Sequence, residues 1–133
     1  MSIAIRALLI IAGAIHLLPV TGVLGAERLT ALYGIDLASP DLQILLRHRA
    51  VLFGLLGAFL VGAAFRAAWR PAALIAGWIS VASFLLLAWS VGGYGPGVAR
   101  VVAADWVAAA CLLGATFAEW RRRSAAPPAA GPR

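Results

Sequence analysis

Lysine is absent from this chain of 133 residues, cysteine occurs once, and only five residues are acidic. Each shortage closes off a class of protein. A single cysteine, Cys111, excludes an intrachain disulfide, and its apolar surroundings read as those of a small packing residue. With no lysine, every basic residue is an arginine, and the arginines stand at the ends of apolar segments. That placement reads as membrane topology and not as a phosphate-binding patch, despite a net charge of +6 and a pI near 11.4. Nucleic acid is therefore not an expected partner. Charge as a whole is scarce, at 12% of residues, against about 25% in a soluble domain. No nucleophile–base–acid set appears. The glycine-rich segment 92–97 has neither the lysine nor the strand–helix setting of a phosphate loop.

What remains is apolar: 63% of residues are hydrophobic and the mean hydropathy is +0.95. A soluble fold of this size keeps too much surface in water to hide that much apolar side chain. The lipid bilayer is the partner that composition demands. Four apolar segments of about 20 residues, each enough to cross about 30 Å of hydrocarbon, use most of the chain. The expected fold is all-α, a four-transmembrane-helix bundle. Residues 1–120 form the transmembrane domain and 121–133 a disordered basic, Pro/Ala-rich cytoplasmic tail.

The first span runs from Ile3 to about Leu24 and carries Arg6, His16 and Pro19. Reading it as a cleaved signal peptide is the alternative, with Arg6 at its start and a small-residue site near Gly25-Ala26. His16 and Pro19 would be out of place in such a segment. Residues 26–49 mix Glu27, Arg28, Asp36, Asp41, Arg47, His48 and Arg49 with leucines and Tyr33. This pattern predicts an amphipathic connection on the outer side between the first two spans. Ser39-Pro40-Asp41 is a helix start, with Ser39 as the N-cap. The remaining spans are expected at about 50–68, 72–91 and 98–120. Two of them carry small residues at every fourth position, Gly54/Ala58/Gly62 and Ala110/Gly114/Ala118. Such faces bring neighbouring helices, second copies or membrane partners close.

Arginine placement orients the bundle. With the N-terminus inside, Arg6, Arg66, Arg70, Arg121, Arg122, Arg123 and Arg133 lie in the cytoplasm, and Arg28, Arg47, Arg49 and Arg100 lie outside. Both termini are then cytoplasmic. Two ionisable residues fall inside hydrocarbon, where a charge needs a partner. At 1.5 Å per residue, His16 lies ~12 Å below the outer end of its helix and Asp105 ~10 Å below the outer end of the last one. Arg49 hangs at the rim above both. A polar, ligand-binding pocket of His16, Asp105, Arg49 and Tyr33, with Tyr94 as a further candidate, is the functional expectation. An interhelical ion pair or hydrogen bond that only fixes helix register is its rival, and in either case His16 and Asp105 are expected in direct or water-bridged contact. Arg100 is a poor partner for Asp105, since five residues turn it about 140° away. Pro19 cannot donate to the carbonyl of Ile15, which opens an acceptor beside His16. His16 and His48 sit at different depths, with no cysteine or carboxylate at ligand spacing around them. No metal site and no cofactor are expected.

The sequence also resembles a family. Gly13 and His16-Leu17-Leu18-Pro19 in the first span, Leu32-Tyr33-Gly34-Ile35, the run from Leu46-Arg47-His48-Arg49 to Phe53-Gly54, and Asp105 in the last span resemble small bacterial four-helix membrane proteins of DoxX-like type. The resemblance implies a four-helix bundle in the bacterial inner membrane, in some relatives a subunit beside a quinone-linked oxidoreductase. Similar chains also carry the name phosphopantetheine adenylyltransferase. That soluble α/β enzyme has an HxGH motif, whereas here His16 precedes Leu17-Leu18 and His48 precedes Arg49-Ala50, so the residues do not support the activity. Three roles follow as expectations. The first is an accessory or structural subunit. The second is a redox, quinone- or lipid-binding subunit that uses the His16/Asp105 pocket. The third is a small oligomeric transporter.

Overall fold

A computed structural model describes residues 3–125. Five α-helices follow one another: α1 (Ile3–Leu17), α2 (Ala26–Tyr33), α3 (Pro40–Phe65), α4 (Arg70–Val91) and α5 (Pro96–Ser124). No strand occurs among the described residues. The segments Ile3–Leu24, Pro40–Phe65, Ala67–Val91 and Pro96–Ser124 are long and apolar enough to cross a membrane. This is an all-α, four-helix bundle of multi-pass type.

Proline sets the helix boundaries. Pro40, Pro71 and Pro96 stand in the first turn of α3, α4 and α5, where the missing N–H has no helical partner to lose. Pro19 acts differently. It lies past the end of α1, where the chain tightens into a 3-10 helix, Leu18–Leu24. The first span thus changes pitch in its second half. Ser39 takes the N-cap backbone position of α3 as expected, but its side chain makes no capping bond. Gln43 instead donates its amide to the carbonyl of Leu37 at 2.8 Å. α5 runs through Arg121, Arg122 and Arg123 to Ser124, so the helix itself continues past residue 120. The expected disorder of the tail beyond Ala125 lies outside the described residues.

Around the bundle, α1 packs on α3 and α5, and α4 packs on the same two, so α1 and α4 stand diagonally across the core. The core is built of small and medium side chains, with Ala12, Ala63, Ala64, Ala73, Ala108 and Ala115 among Leu9, Leu60, Val81 and Leu112. Larger apolar residues such as Leu55, Ile79, Leu87 and Phe117 point outward. Helices in lipid have no hydrophobic drive to associate, so close backbone contact must hold them. Between the first two spans, the α1/α3 crossing brings backbone against backbone. A Cβ on Gly13 would lie 2.9 Å from the Gly57 carbonyl oxygen, and one on Gly57 would lie 2.8 Å from that of Gly13.

This differs from the stripe expected at Gly54, Ala58 and Gly62. Gly54 meets Val20 of the 3-10 segment, Gly62 meets the Trp69 ring, and Ala58 is exposed. Of the second stripe, Gly114 meets Leu8 of α1, while Ala110 is exposed. A repeat of four finds a face but not the neighbour that face meets.

The two ends of the bundle are unlike. At one end the last turn of α3, the start of α4 and the end of α5 meet at Arg70, which is fully buried at 1% exposure. Its guanidinium donates to the carbonyls of Ala63 and Ala64 in the last turn of α3 and to Glu119 of α5, at 3.3, 3.4 and 3.4 Å. Glu119 also accepts from Arg122 and Arg123. Arg70, which reads from sequence as a topology charge, is therefore a clasp between three helices. At the other end α2 lies across the bundle, burying Leu29 and Tyr33 together with Leu37 against Leu42, Leu46 and Val101. The amphipathic connection is thus a packed cap.

Candidate functional site

Beneath that cap, a cavity of about 210 Å³ opens between α1, α2, α3 and α5. All four expected site residues, His16, Tyr33, Arg49 and Asp105, line it. Tyr94 does not, and neither does His48, which is exposed.

Local structure explains each placement. His16 sits in the last turn of α1, where its Nδ1 donates to the carbonyl of Ala12 at 2.8 Å. A carbonyl can only accept, so Nδ1 carries the proton and Nε2 presents a lone pair in the neutral ring. His16 is 1% exposed and Nε2 has no hydrogen-bond partner among the described residues. The imidazole packs beside Phe53, with ring centroids 5.7 Å apart.

Asp105 comes from α5 and is 5% exposed. It faces the same cavity but makes no ion pair, since every ion pair among the described residues involves Glu119. No hydrogen bond joins Asp105 to His16 either. Direct contact between the two, one form of the expected polar pair, is not formed. They share a cavity instead.

Arg49 projects from α3 and is held on several sides. Its Nη1 donates to the Tyr33 hydroxyl at 3.1 Å. Its guanidinium carbon stands 4.7 Å from the ring centre of Phe53, 5.3 Å from Phe84 and 5.5 Å from Tyr33. Each such stacking on an aromatic face contributes about 0.5–2 kcal/mol, the larger values where water is excluded. Arg49 is therefore a fixed donor and not a loose rim charge. Phe53 follows Arg49 by four residues, so the pair shares a helix face. That spacing is a sequence signal for Phe53 as a wall residue. Phe84 carried no such signal, because its partner lies on another helix.

Tyr33 ends α2. Gly34 after it adopts φ 67°, and its N–H returns to the carbonyl of Thr30, a helix stop for which glycine is suited. The cap then presses on α5 at Gly97, where a Cβ would collide with the Tyr33 carbonyl and lie 2.8 Å from its Cα. Only glycine lets α2 close the site at this point.

The remaining walls are mostly apolar, from Ile15, Pro19, Leu32 and Val101. Arg100 also lines the cavity, from an exposed position and without pairing with Asp105. Among the described residues no cluster of three His, Cys, Asp or Glu side chains could hold a metal ion. Chemically, the site offers buried acceptors at His16 Nε2 and Asp105, donors at Arg49 and Tyr33, and an apolar wall.

No family model, no curated protein and no solved structure matches this chain.

Proposed function

We propose that this chain is a small multi-pass protein of the bacterial inner membrane that holds a lipid-soluble molecule with a polar head group. Its cavity lies in the outer half of the bilayer and both termini are cytoplasmic. One observation carries the reading. His16, 1% exposed, presents an unpartnered Nε2 to a cavity of about 210 Å³, and Asp105, 5% exposed, lines the same cavity without a hydrogen bond or close ion pair, facing only the more distant charge of Arg49. Buried polar groups in folded proteins are nearly always satisfied, and an exception calls for a missing ligand, ion or water. The orientation rests on arginine placement. Kinship with DoxX-like proteins rests on the motifs around His16, Tyr33, Arg49 and Asp105. The hydroquinone form of a quinone, whose hydroxyls can donate and whose ring suits the apolar wall, is one occupant in keeping with that kinship.

A second reading, an accessory subunit that docks on a membrane partner or a second copy, draws support from Ala58 and Ala110. Both small residues face outward and would admit another helix closely. The two readings are compatible, since a bound molecule can serve a partner enzyme.

The test is extraction in a mild detergent followed by mass spectrometry of co-purifying small molecules, with Asp105→Asn as control. The expected result is a lipid-soluble compound enriched with the native protein and depleted from a folded Asp105→Asn preparation. Identical compound profiles from the two would refute the proposal.

A further inference from the structure

The hydrogen-bonding inventory of the cavity narrows the ligand class, an inference that rests on the binding role just proposed. At the buried end the free groups are acceptors. His16 Nε2 presents a lone pair because Nδ1 is committed to Ala12. The Asp105 carboxylate makes no ion pair, so its oxygens remain open to a donor from the cavity. Arg49 supplies the balancing positive charge, and it is already tied to the Tyr33 hydroxyl.

Three kinds of head group can be compared. An anion would place its charge beside Asp105, while an ammonium would place its own beside Arg49. A neutral hydroxyl meets neither charge unfavourably, donates to the free acceptors, and can itself accept from Tyr33 or Arg49. The apolar side suits a ring, since about 150 Å³ of dry cavity is enough to hold benzene and the void here is about 210 Å³. Leu18, 65% exposed, lines the cavity at its outward edge within the first span. A hydrocarbon tail has an apolar way out to lipid over that residue.

We infer that the cavity takes a neutral amphiphile whose buried end is a hydroxyl hydrogen-bond donor, carried on a ring or chain that extends past Leu18. The convergence of His16 Nε2 and Asp105 on one apolar-walled void selects it.

Three probes of matched body separate the alternatives: 4-hexylphenol, its methyl ether 4-hexylanisole, and the anion 4-hexylbenzoate. Their binding to the full chain in lipid nanodiscs is read from the nitrogen resonances of ¹⁵N-labelled His16, with empty nanodiscs correcting for partition into lipid. The phenol is expected to bind saturably and shift Nε2, with the anisole roughly tenfold weaker, the size of one net hydrogen bond. Equal affinity for phenol and anisole, or tighter binding of the benzoate, overturns the donor inference and leaves the cavity as a binding site. Failure of all three to bind saturably overturns the binding role as well. Asp105→Asn, nearly unchanged in volume, should narrow the gap between phenol and anisole. An unchanged gap in the folded variant counts against the inference.

Discussion

Loss of the Glu119 carboxylate should destabilise the bundle more than loss of any exposed charge. Arg70 is 1% exposed, and its three hydrogen-bond partners are two carbonyls and Glu119. The carbonyls orient the guanidinium but carry no formal charge, so Glu119→Gln leaves a buried cation without its counter-ion. Breaking a buried pair in this way costs about 3–5 kcal/mol. The lower end is expected here, because helices unfolded within a membrane also find polar partners. Arg122 and Arg123, at 46% and 56% side-chain exposure, also touch Glu119. Contacts so open to solvent contribute little, and Arg122→Gln should leave stability nearly unchanged. Arg70→Met/Glu119→Gln removes the stranded charge together with its partner, and should therefore be more stable than Glu119→Gln alone. Reversible unfolding in mixed micelles, followed by circular dichroism, gives the three values. A Glu119→Gln protein as stable as the native chain would refute the clasp, as would a double variant less stable than Glu119→Gln alone.

Three further outcomes follow from the packing and the charge pattern. Gly57→Ala and Gly13→Ala should each cost about 1–3 kcal/mol, the range for overpacking, because backbone carbonyls block the new methyl. Gly114→Ala, which meets the end of the Leu8 side chain at 3.1 Å, should cost less by the same unfolding assay. Gly97→Ala should push α2 away from α5 and weaken ligand retention more than it lowers the melting temperature. Paired mass spectrometry and thermal unfolding check that ratio. Reporter fusions after Trp69 and Arg123 should report cytoplasm, and one within 38–42 the outer side; an outer signal after Arg123 would overturn the orientation.

Much of this structure was legible in the residues, for identifiable reasons. Span length and charge scarcity gave the four helices. Depth along two helices brought His16 and Asp105 to one level, and the loop between the first two spans had to pass above them with Tyr33 and Arg49. What depth could not give was azimuth, so the choice between direct contact of His16 with Asp105 and a shared pocket stays open in the sequence, and the structure shows the shared cavity. The Arg70–Glu119 clasp is not legible in the sequence because an arginine at a span end reads first as a topology signal. Its partner lies 49 positions away, and only the closed bundle brings the two together. The spacing of Glu119 to Arg122 and Arg123, three and four residues on one helix face, was the local sign of it. The α1/α3 crossing at Gly13 and Gly57 was hidden for the opposite reason. The stripe at Gly54, Ala58 and Gly62 is the more regular one, yet regularity along one helix says nothing of where its neighbour crosses.

The binding role of the cavity is tested most directly by a crystal structure of the native chain grown from a lipid mesophase that contains its own membrane extract. The expected result is non-protein density between Arg49 and His16, within hydrogen-bond distance of Nε2. A collapsed cavity with His16 bonded directly to Asp105, or one filled by ordered water alone, would contradict the proposal.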